Sequence, residues 1–404
     1  MKKKVIVLGT GAQGSTIAMR LDDEPGVSHI ICADYNLEAA QRLEQKLNKA
    51  TAVKVDGNNV NEILEASKGA DLIVNGLPPD FNINLMEAAL AGRMNYQDMA
   101  SGPVEDIDFV GAVKRQLSYD DKFKEAGLSA LINTGSAPGL VNVLARNAAD
   151  KLDELEHIDI FVYDSIWTNK FIPFWWSPET AFGDMAAQPI IFENGEYKLV
   201  KPFNNPQMID FMGLGERRMV DHEHEEPVTF GMFFKGLKSA NFKYGGKACD
   251  LAEDLYKMGL LSSEPVEVNG VKVVPLDLVC KLTPPAPADP SAIKDALSEG
   301  MALEEGAAMV RVCGIKDGKQ LCIDSYINAP GLTESFEKYG ITHESFLTGQ
   351  SAFLFTKLFV NDKISEKGVF PPEVLGLSTR NYYLSEAAKL GITVDEIQKT
   401  ELAS

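Results

Sequence analysis

Ten residues near the amino end constrain this chain more than any other stretch. Val5-Ile6-Val7-Leu8 is a short apolar run, and Gly9-Thr10-Gly11-Ala12-Gln13-Gly14 follows it directly. An apolar run, three glycines spaced G-x-G-x-x-G and then an amphipathic stretch describe a buried strand turning tightly into a helix. Each glycine meets a separate requirement: Gly9 lets the chain turn, Gly11 admits a pyrophosphate against the backbone, and Gly14 lets the helix pack on the strand. The free amides at the helix start, with the positive end of its dipole, complete an anion site. Thr10, Ala12 and Gln13 therefore join the glycines as candidate cofactor contacts. A second strand-like run ends at Ala33-Asp34, twenty residues beyond Gly14. A carboxylate at that point accepts hydrogen bonds from an adenosine ribose and repels a 2′-phosphate. No Arg or Lys follows in Tyr35-Asn36-Leu37-Glu38, so the expected cofactor is NAD rather than NADP, with Tyr35 beside it. Asp34 also suits the cap of a helix beginning near Leu37, a role compatible with the first.

The rest of the first third alternates strand-like runs (His29–Ala33, Val53–Val55, Leu72–Val74, Asn95–Gln97, Leu128–Ile132) with amphipathic stretches. That alternation predicts a doubly wound parallel sheet, an α/β fold of Rossmann type. Its strand ends, at Asp56, at Gly76-Leu77-Pro78 and at Tyr96-Gln97-Asp98, should open on the crevice that holds the dinucleotide. Asp56 is expected near the adenine, and Gly76, Leu77 and Pro78 near the ribose and nicotinamide. After a helix expected over Leu140–Lys151 the texture changes to period-two runs, such as Ile158–Tyr163 and Met309–Cys313. Asn194-Gly195, Asn269-Gly270 and Asp317-Gly318 each sit between β-prone flanks and predict three hairpins. Thr283–Pro290 is too proline-rich for a central strand or a helix interior and reads as an extended connector. From Thr348 the pattern is helical again, with a last helix from Ser385. The expected organisation is a dinucleotide-binding domain over 1–137, completed by C-terminal helices 348–404. An inserted α/β domain with a mixed, largely antiparallel sheet is expected over 138–347.

Composition narrows the class of partner. The 404 residues carry 39 Lys+Arg against 58 Asp+Glu, a formal charge of -19, which repels phosphate backbones and anionic lipid. Nucleic acid and membrane are not expected as partners. No apolar run approaches the roughly 20 residues of a spanning helix. Met1-Lys2-Lys3-Lys4 leads into an apolar run too short for a signal-peptide core. The five cysteines are an odd number and contain no C-x-x-C pair, so neither a disulfide framework nor a structural zinc site is expected, and a reducing cytoplasm fits.

Taken in order, Gly9–Gly14, Asn75-Gly76-Leu77-Pro78, Asn95-Tyr96-Gln97-Asp98, Gly135-Ser136-Ala137-Pro138-Gly139-Leu140 and Gly368-Val369-Phe370-Pro371-Pro372-Glu373 resemble the saccharopine dehydrogenase-like superfamily over nearly the whole chain. The 404-residue length, Asp34 and Trp176-Ser177-Pro178 look closest to its lysine 6-dehydrogenase branch, ahead of saccharopine reductases and polyamine-forming relatives. The resemblance implies oxidative deamination of an amine, or reduction of an imine, by hydride exchange at a nicotinamide. It also implies that the second domain carries the substrate site and a homodimer contact. By the same resemblance Ala137, Pro138 and Gly139 lie beside the nicotinamide, and Tyr96 and Asp98 face the substrate.

Amine oxidation needs a group that moves protons near the reacting carbon. Asp98 is the first candidate, and an Asp at a strand end is also a routine cap or ion-pair partner. Asp221-His222-Glu223-His224-Glu225-Glu226 holds two of the five histidines, just before an expected strand over Val228–Phe233. Three readings stay open: a metal held by His222, His224 and Glu226 on one strand face, a substrate role, or a solvated loop. Hydride chemistry requires no metal, and none is expected. In the substrate reading, which matches a His-Glu pair associated with the family, His224 is acid/base and Glu225 or Glu226 faces an ammonium. Trp175 and Trp176 either pack a core or dimer contact or wall off a bound amine, with Trp176 preferred because Ser177-Pro178 follows it. Beyond Lys151 the second domain offers Arg217, Arg218 and Arg311 alone as arginines, few for a tricarboxylate. A small amino acid or amine is the expected substrate, and an enzyme condensing an amine with a keto acid, or a non-catalytic NAD(H) sensor, is the alternative.

Overall fold

The computed structural model describes residues 2–104, 107–287 and 289–400. Residues 1, 105, 106, 288 and 401–404, which fall inside the expected domain ranges and the proline-rich connector, lie outside the described residues. The chain divides into two compact units, Met1–Asn147 with Ser345–Thr393, and Ala148–Glu344 with Val394–Ser404.

In chain order the elements begin β1 (Lys3–Leu8), α1 (Ala12–Asp23), β2 (Val27–Asp34), α2 (Leu37–Glu44), β3 (Ala50–Lys54), α3 (Val60–Ala66), β4 (Leu72–Asn75), α4 (Asn82–Gly92), β5 (Asn95–Gln97), α5 (Phe109–Leu117), α6 (Asp120–Ala126), β6 (Ser129–Leu131) and α7 (Leu140–Ala149). There follow β7 (Glu154–Thr168), α8 (Pro178–Ala186), β8 (Ile190–Glu193), β9 (Glu196–Leu199), β10 (Gln207–Phe211), β11 (Gly215–Asp221), α9 (Glu226–Phe233), β12 (Ser239–Gly245), α10 (Lys247–Lys257), β13 (Val266–Val268) and β14 (Val271–Val273). The chain ends through α11 (Pro275–Leu282), α12 (Pro290–Leu297), β15 (Met301–Lys316), β16 (Lys319–Asn328), α13 (Leu332–Tyr339), α14 (His343–Val360), β17 (Gly368–Phe370), α15 (Leu377–Lys389) and β18 (Thr393–Lys399).

The first unit is a seven-stranded sheet in the order β17-β6-β5-β4-β1-β2-β3, parallel throughout. β1 lies inside it, with Val5, Ile6 and Val7 at 0% exposure. A strand covered on both faces reads as a continuous apolar run, which is why Val5–Leu8 shows no alternation. Ile6, Leu8, Ile31, Ile73, Leu85, Tyr96, Phe123 and Val369 form the core. Strand order turns back between β1 and β4, and ligands of such sheets bind at the carboxyl ends beside that point.

The second unit is a nine-stranded sheet whose path runs β10-β11-β12-β7-β15-β16-β18, with β8 and β9 branching from β12. β7 pairs parallel with β12 and antiparallel with β15, so the sheet is mixed and largely antiparallel. The three Asn/Asp-Gly dipeptides of this unit are hairpin turns. Asn194 and Gly195, Asn269 and Gly270, and Asp317 and Gly318 all have positive φ, the geometry whose twist matches paired strands.

Four expectations are corrected. The residues after His224 form a helix, α9, not a strand: Pro227 sits in its first turn, where proline favours a helix start, and a short buried apolar run cannot separate the two by periodicity. The unit boundary falls after Asn147 rather than at 137, and the return to the first unit ends at Thr393 because β18 pairs beside β16 in the second sheet. The last helix, α15, starts at Leu377, eight residues before Ser385. Cys313 and Cys322 form a disulfide, standing directly opposite each other across the β15–β16 hairpin; pairing set by strand register leaves no C-x-x-C signature.

Candidate functional site

The glycine-rich turn of the first unit is built as its spacing implies. Gly9 has φ +87°, and a Cβ there would meet the Gly76 carbonyl oxygen at 2.7 Å; a Cβ on Gly14 would meet the Gly9 carbonyl oxygen at 1.9 Å. A Cβ on Gly11, the residue capping α1, would meet nothing within 4 Å. The turn is thus closed on its protein side and open at Gly11, where a pyrophosphate would fit, with the amides of Ala12, Gln13 and Gly14 starting α1. Gln13 Oε1 is buried without a partner. A cavity of about 360 Å³ beside the turn is lined by Gly9, Asp34, Tyr35, Asp56, Leu77 and Phe81, among others, and so gathers the expected adenine-side residues from four strand ends.

Asp34 is held in place before any ligand arrives. Its Oδ2 accepts from the Thr10 amide at 2.7 Å and the Thr10 hydroxyl at 2.7 Å, and its Oδ1 from the Asn36 amide at 2.8 Å. A carboxylate has about four acceptor positions, so one stays available for a ribose hydroxyl. Capping of α2 belongs to Asn36 rather than Asp34. Sequence reasoning missed Lys54, which pairs with Asp34 across the β2–β3 register and sets its Nζ 5.1 Å over the Tyr35 ring.

Tyr96 and Asp98, expected to face the substrate, are both buried at the end of β5. Tyr96 is 0% exposed inside the core, its hydroxyl 3.3 Å from Asn75 Nδ2. Asp98 is 1% exposed and accepts from the Asn133 amide at 2.8 Å and from Gln116 Nε2 at 2.5 Å. Burial pushes the Asp98 carboxyl up to about 7, against hydrogen bonds from Asn133, Tyr96 and Gln116 that favour its charge. Both residues are thus held by hydrogen bonds at the carboxyl end of the sheet. Beside them Ala137-Pro138 is a cis peptide and Gly139 has φ +135°, where a Cβ would lie 2.0 Å from the Gly135 carbonyl oxygen. The Gly139 amide donates to Asn142 Oδ1 at 2.8 Å, and Asn142 Nδ2 donates to Glu373 Oε2 at 3.0 Å. This ties two of the sequence motifs together.

In the second unit His224 is the centre of an acidic cluster. Its Nδ1 lies 2.5 Å from Glu226 Oε2 and 3.5 Å from Glu225 Oε2, and its ring stacks on Phe242 at 4.0 Å. Burial works against the charged ring, but Glu226, then Glu225 and Asp184, lift His224 to about 9. Burial pushes Glu223 up to about 7, helped by Asp184, and Asp184 up to about 6. Burial and the neighbouring His224 drive His222 down to about 3. Trp176 meets Tyr244 edge-on at 6.3 Å, and Tyr244 lies 5.3 Å from His222. Glu226, Glu225 and Asp184 thus favour the charged form of the His224 imidazole, beside an aromatic strip. His224, Glu225 and Glu226 also have the spacing of metal ligands; His222 stands outside that group. The arginines are engaged elsewhere: Arg217 with Glu305 at 3.1 Å, Arg218 with Glu253 at 2.8 Å, and Arg311 with Asp324 at 2.6 Å.

Comparison with known families accounts for both units. The model of the saccharopine dehydrogenase NADP binding domain matches residues 5–131, and that of the saccharopine dehydrogenase C-terminal domain matches residues 135–392. The chain belongs to the saccharopine dehydrogenase family. This saccharopine dehydrogenase-family oxidoreductase has, over 98% of its length and all of the other chain, the fold of apo saccharopine dehydrogenase (L-Glu forming) from Saccharomyces cerevisiae, with a TM-score of 0.71 at 14% identity. It is 26% identical over 352 residues to carboxynorspermidine synthase of Vibrio alginolyticus, covering 84% of this chain and 82% of that one. It is 24% identical over 401 residues to carboxyaminopropylagmatine dehydrogenase of Synechocystis, covering 98% and 97%. None of these three is named a lysine 6-dehydrogenase. Among the described residues no helix of this family member is long and apolar enough to cross a membrane. Asp184 and Tyr244 escaped sequence reasoning because α8 and β12 bring them to His224 from distant segments.

Proposed function

We propose that this oxidoreductase forms or cleaves the secondary amine of a carboxyl-bearing polyamine, with NAD(H) as hydride carrier. In the condensing direction a primary amine and a carbonyl compound lose water to give an imine. The dinucleotide supplies hydride to the imine carbon when bound, and the nitrogen takes a proton. Carboxynorspermidine and carboxyaminopropylagmatine, named in the two relatives, are both polyamines with a carboxyl group. The observation that carries the reading is the His224 pocket. Asp184 and Glu223, held up near neutral pH by burial, are carboxyls short of a cation, and the aromatic faces of Trp176 and Tyr244 suit an aliphatic ammonium. With Arg217, Arg218 and Arg311 already paired, the pocket favours an amine over the three carboxylates of saccharopine. His224, at about 9, is the group that holds a proton there, and Glu225 faces the ammonium.

Asp34 supports NADH: its remaining acceptor position suits a ribose hydroxyl, and a 2′-phosphate would meet its charge. Lys54 over Tyr35 favours the second reading, NADPH. The test is oxidation of NADH and of NADPH, measured side by side with a panel of diamines and polyamines plus carboxylate-bearing aldehydes and keto acids. Turnover is expected when amine and carbonyl compound are both present. Turnover of lysine alone with NAD+, and none with any pair, would overturn the reading; a higher kcat/KM with NADPH would overturn the cofactor assignment.

A further inference from the structure

One row of side chains crosses the second sheet with chemistry that amine recognition leaves unused. The register pairs Ser239 of β12 with His157 of β7, His157 with Cys313 of β15, and Cys313 with Cys322 of β16. Residues paired across neighbouring strands point to the same face of a sheet. Ser239, His157 and the Cys313–Cys322 disulfide therefore stand side by side, with the Ser239 hydroxyl 2.7 Å from His157 Nδ1. His157 is exposed and both half-cystines are half-buried, so the disulfide meets solvent along part of its surface. The free Cys32 and Cys249 are buried instead and pushed up to about 12 by loss of solvent, which keeps them out of thiolate chemistry near neutral pH.

The bond is poorly placed to serve as a staple. It joins residues only nine positions apart, and so short a closed loop restricts the unfolded chain less than a long one does. Lys316 and Lys319 close the two-residue turn; pairs alternate from there, so Cys313–Cys322 falls on a rung without backbone hydrogen bonds between its residues. The two Cα atoms are 4.1 Å apart, the close spacing of such a rung. The ladder from Ala308–Ile327 to Lys316–Lys319 and the pairing of β15 with β7 hold the strands without the sulfurs. On the same face Arg311 grips Asp324 at 2.6 and 2.8 Å, a second tie two residues along each strand. Breaking the S–S bond thus leaves two thiols facing each other in an intact hairpin, where they can close again.

We infer that Cys313 and Cys322 form a reversible thiol–disulfide exchange site for a small thiol, with His157 as its proton donor and acceptor. The small thiolate attacks Cys322 Sγ, and the S–S bond breaks. Cys313 leaves as a thiolate that takes a proton from His157, and a mixed disulfide stays on Cys322. A second small thiolate attacks the small-thiol sulfur of that mixed disulfide, and Cys322 leaves as a thiolate and is protonated in turn. Two small thiols are oxidised to their own disulfide, the protein disulfide is reduced to a dithiol, and the reverse sequence restores it. A proton donor beside Cys313 makes it the better leaving group, and the Ser239 contact fixes the ring that supplies the proton. The site is independent of the amine reading.

The test is incubation of the full chain in mixtures of reduced and oxidised glutathione, then acid quench, alkylation with iodoacetamide and peptide mass spectrometry. Cys313 and Cys322 should gain alkyl groups together as the mixture becomes reducing and lose them as it becomes oxidising, while far-UV circular dichroism stays that of the folded chain. The trapped intermediate should carry glutathione on Cys322. His157→Gln should slow reduction and reoxidation alike by about fivefold or more and leave their equilibrium ratio unchanged, a split that a merely structural role would not produce. Ser239→Ala, which releases the ring, should slow both steps in the same direction. Alkylation of the pair only in denaturant makes the bond an inert structural one and overturns the inference. A folded protein that keeps both thiols reduced in every mixture overturns it equally. A His157→Gln rate within about twofold of the wild type removes His157 from the site.

Discussion

Replacing Asp98 by Asn tests whether burial governs this carboxyl. Asp98 titrates near 7 in the folded unit and near 3.8 in a free chain. The folded state then binds the proton more tightly, so the stability linked to this group is full below about pH 4 and is lost as pH rises through 7. Between pH 5 and pH 8.5 the loss is about 3 kcal/mol. Exposure of 1% leaves little solvent to screen it. Asn cannot titrate, and while its oxygen keeps the Asn133 amide, its NH2 meets the Gln116 NH2, donor against donor. At pH 5 the variant should therefore be less stable by roughly 1–3 kcal/mol. At pH 8.5 it should equal or exceed the wild type. Urea unfolding at both pH values checks this, read from the transition that added NADH moves, since a ligand shifts the unfolding of the unit it binds. A wild-type-to-variant gap that agrees within about 0.5 kcal/mol at the two pH values, far from the linkage expected, would refute the argument and return Asp98 to an ordinary carboxylate.

Two further perturbations probe the other sites. Gly14→Ala drives a methyl group to 1.9 Å from the Gly9 carbonyl oxygen; the strain should be about 1–3 kcal/mol, and NADH dissociation, followed by fluorescence, should weaken at least tenfold, whereas unchanged affinity would remove this turn from the cofactor site. Glu226→Gln takes away the largest support of the His224 charge, so the ring titration seen by NMR should fall from about 9 to below 7. A raised histidine stabilises most below its free value of 6.5 and loses that contribution as pH rises through 9, so the variant should also lack the wild type's decline in stability over that window; a midpoint still above 8 would mean that Glu225 and Asp184 set it.

How legible each unit was follows from what holds its ligand. Gly9, Gly11 and Gly14 act through backbone shape, and shape requirements within one turn are written in consecutive letters. Asp34 and the three hairpins were legible for the same reason, being local. Lys54 was not, because a parallel register places it beside Asp34 from twenty residues away in sequence. The burial of Tyr96 and Asp98 was not legible, since a strand end in a sequence does not say how deep its side chains lie. α9 was misread because its apolar run, VTFGMFF, fits a strand as well as a buried helix turn. The Cys313–Cys322 pair is a product of hairpin register and was invisible to cysteine counting.

The proposed amine recognition inverts this logic, because it depends on charge rather than shape. Asp184 comes from α8, His224 and Glu226 from the β11–α9 connection and the helix start, and Tyr244 from β12, so no window of sequence contains the pocket. One global number nevertheless foreshadowed it. The formal charge of -19 serves in the sequence to exclude nucleic acid, yet a field that repels a polyanion attracts a polycation by the same law. Where that surplus is solvated it does little. At Asp184, Glu223 and Glu344 it is partly buried, and there loss of solvent raises the carboxyls above their ordinary range. A buried carboxyl that resists ionising gains most from an arriving ammonium, because pairing offsets the desolvation that raised it. The acidic composition and the proposed substrate class are thus two readings of one electrostatic fact.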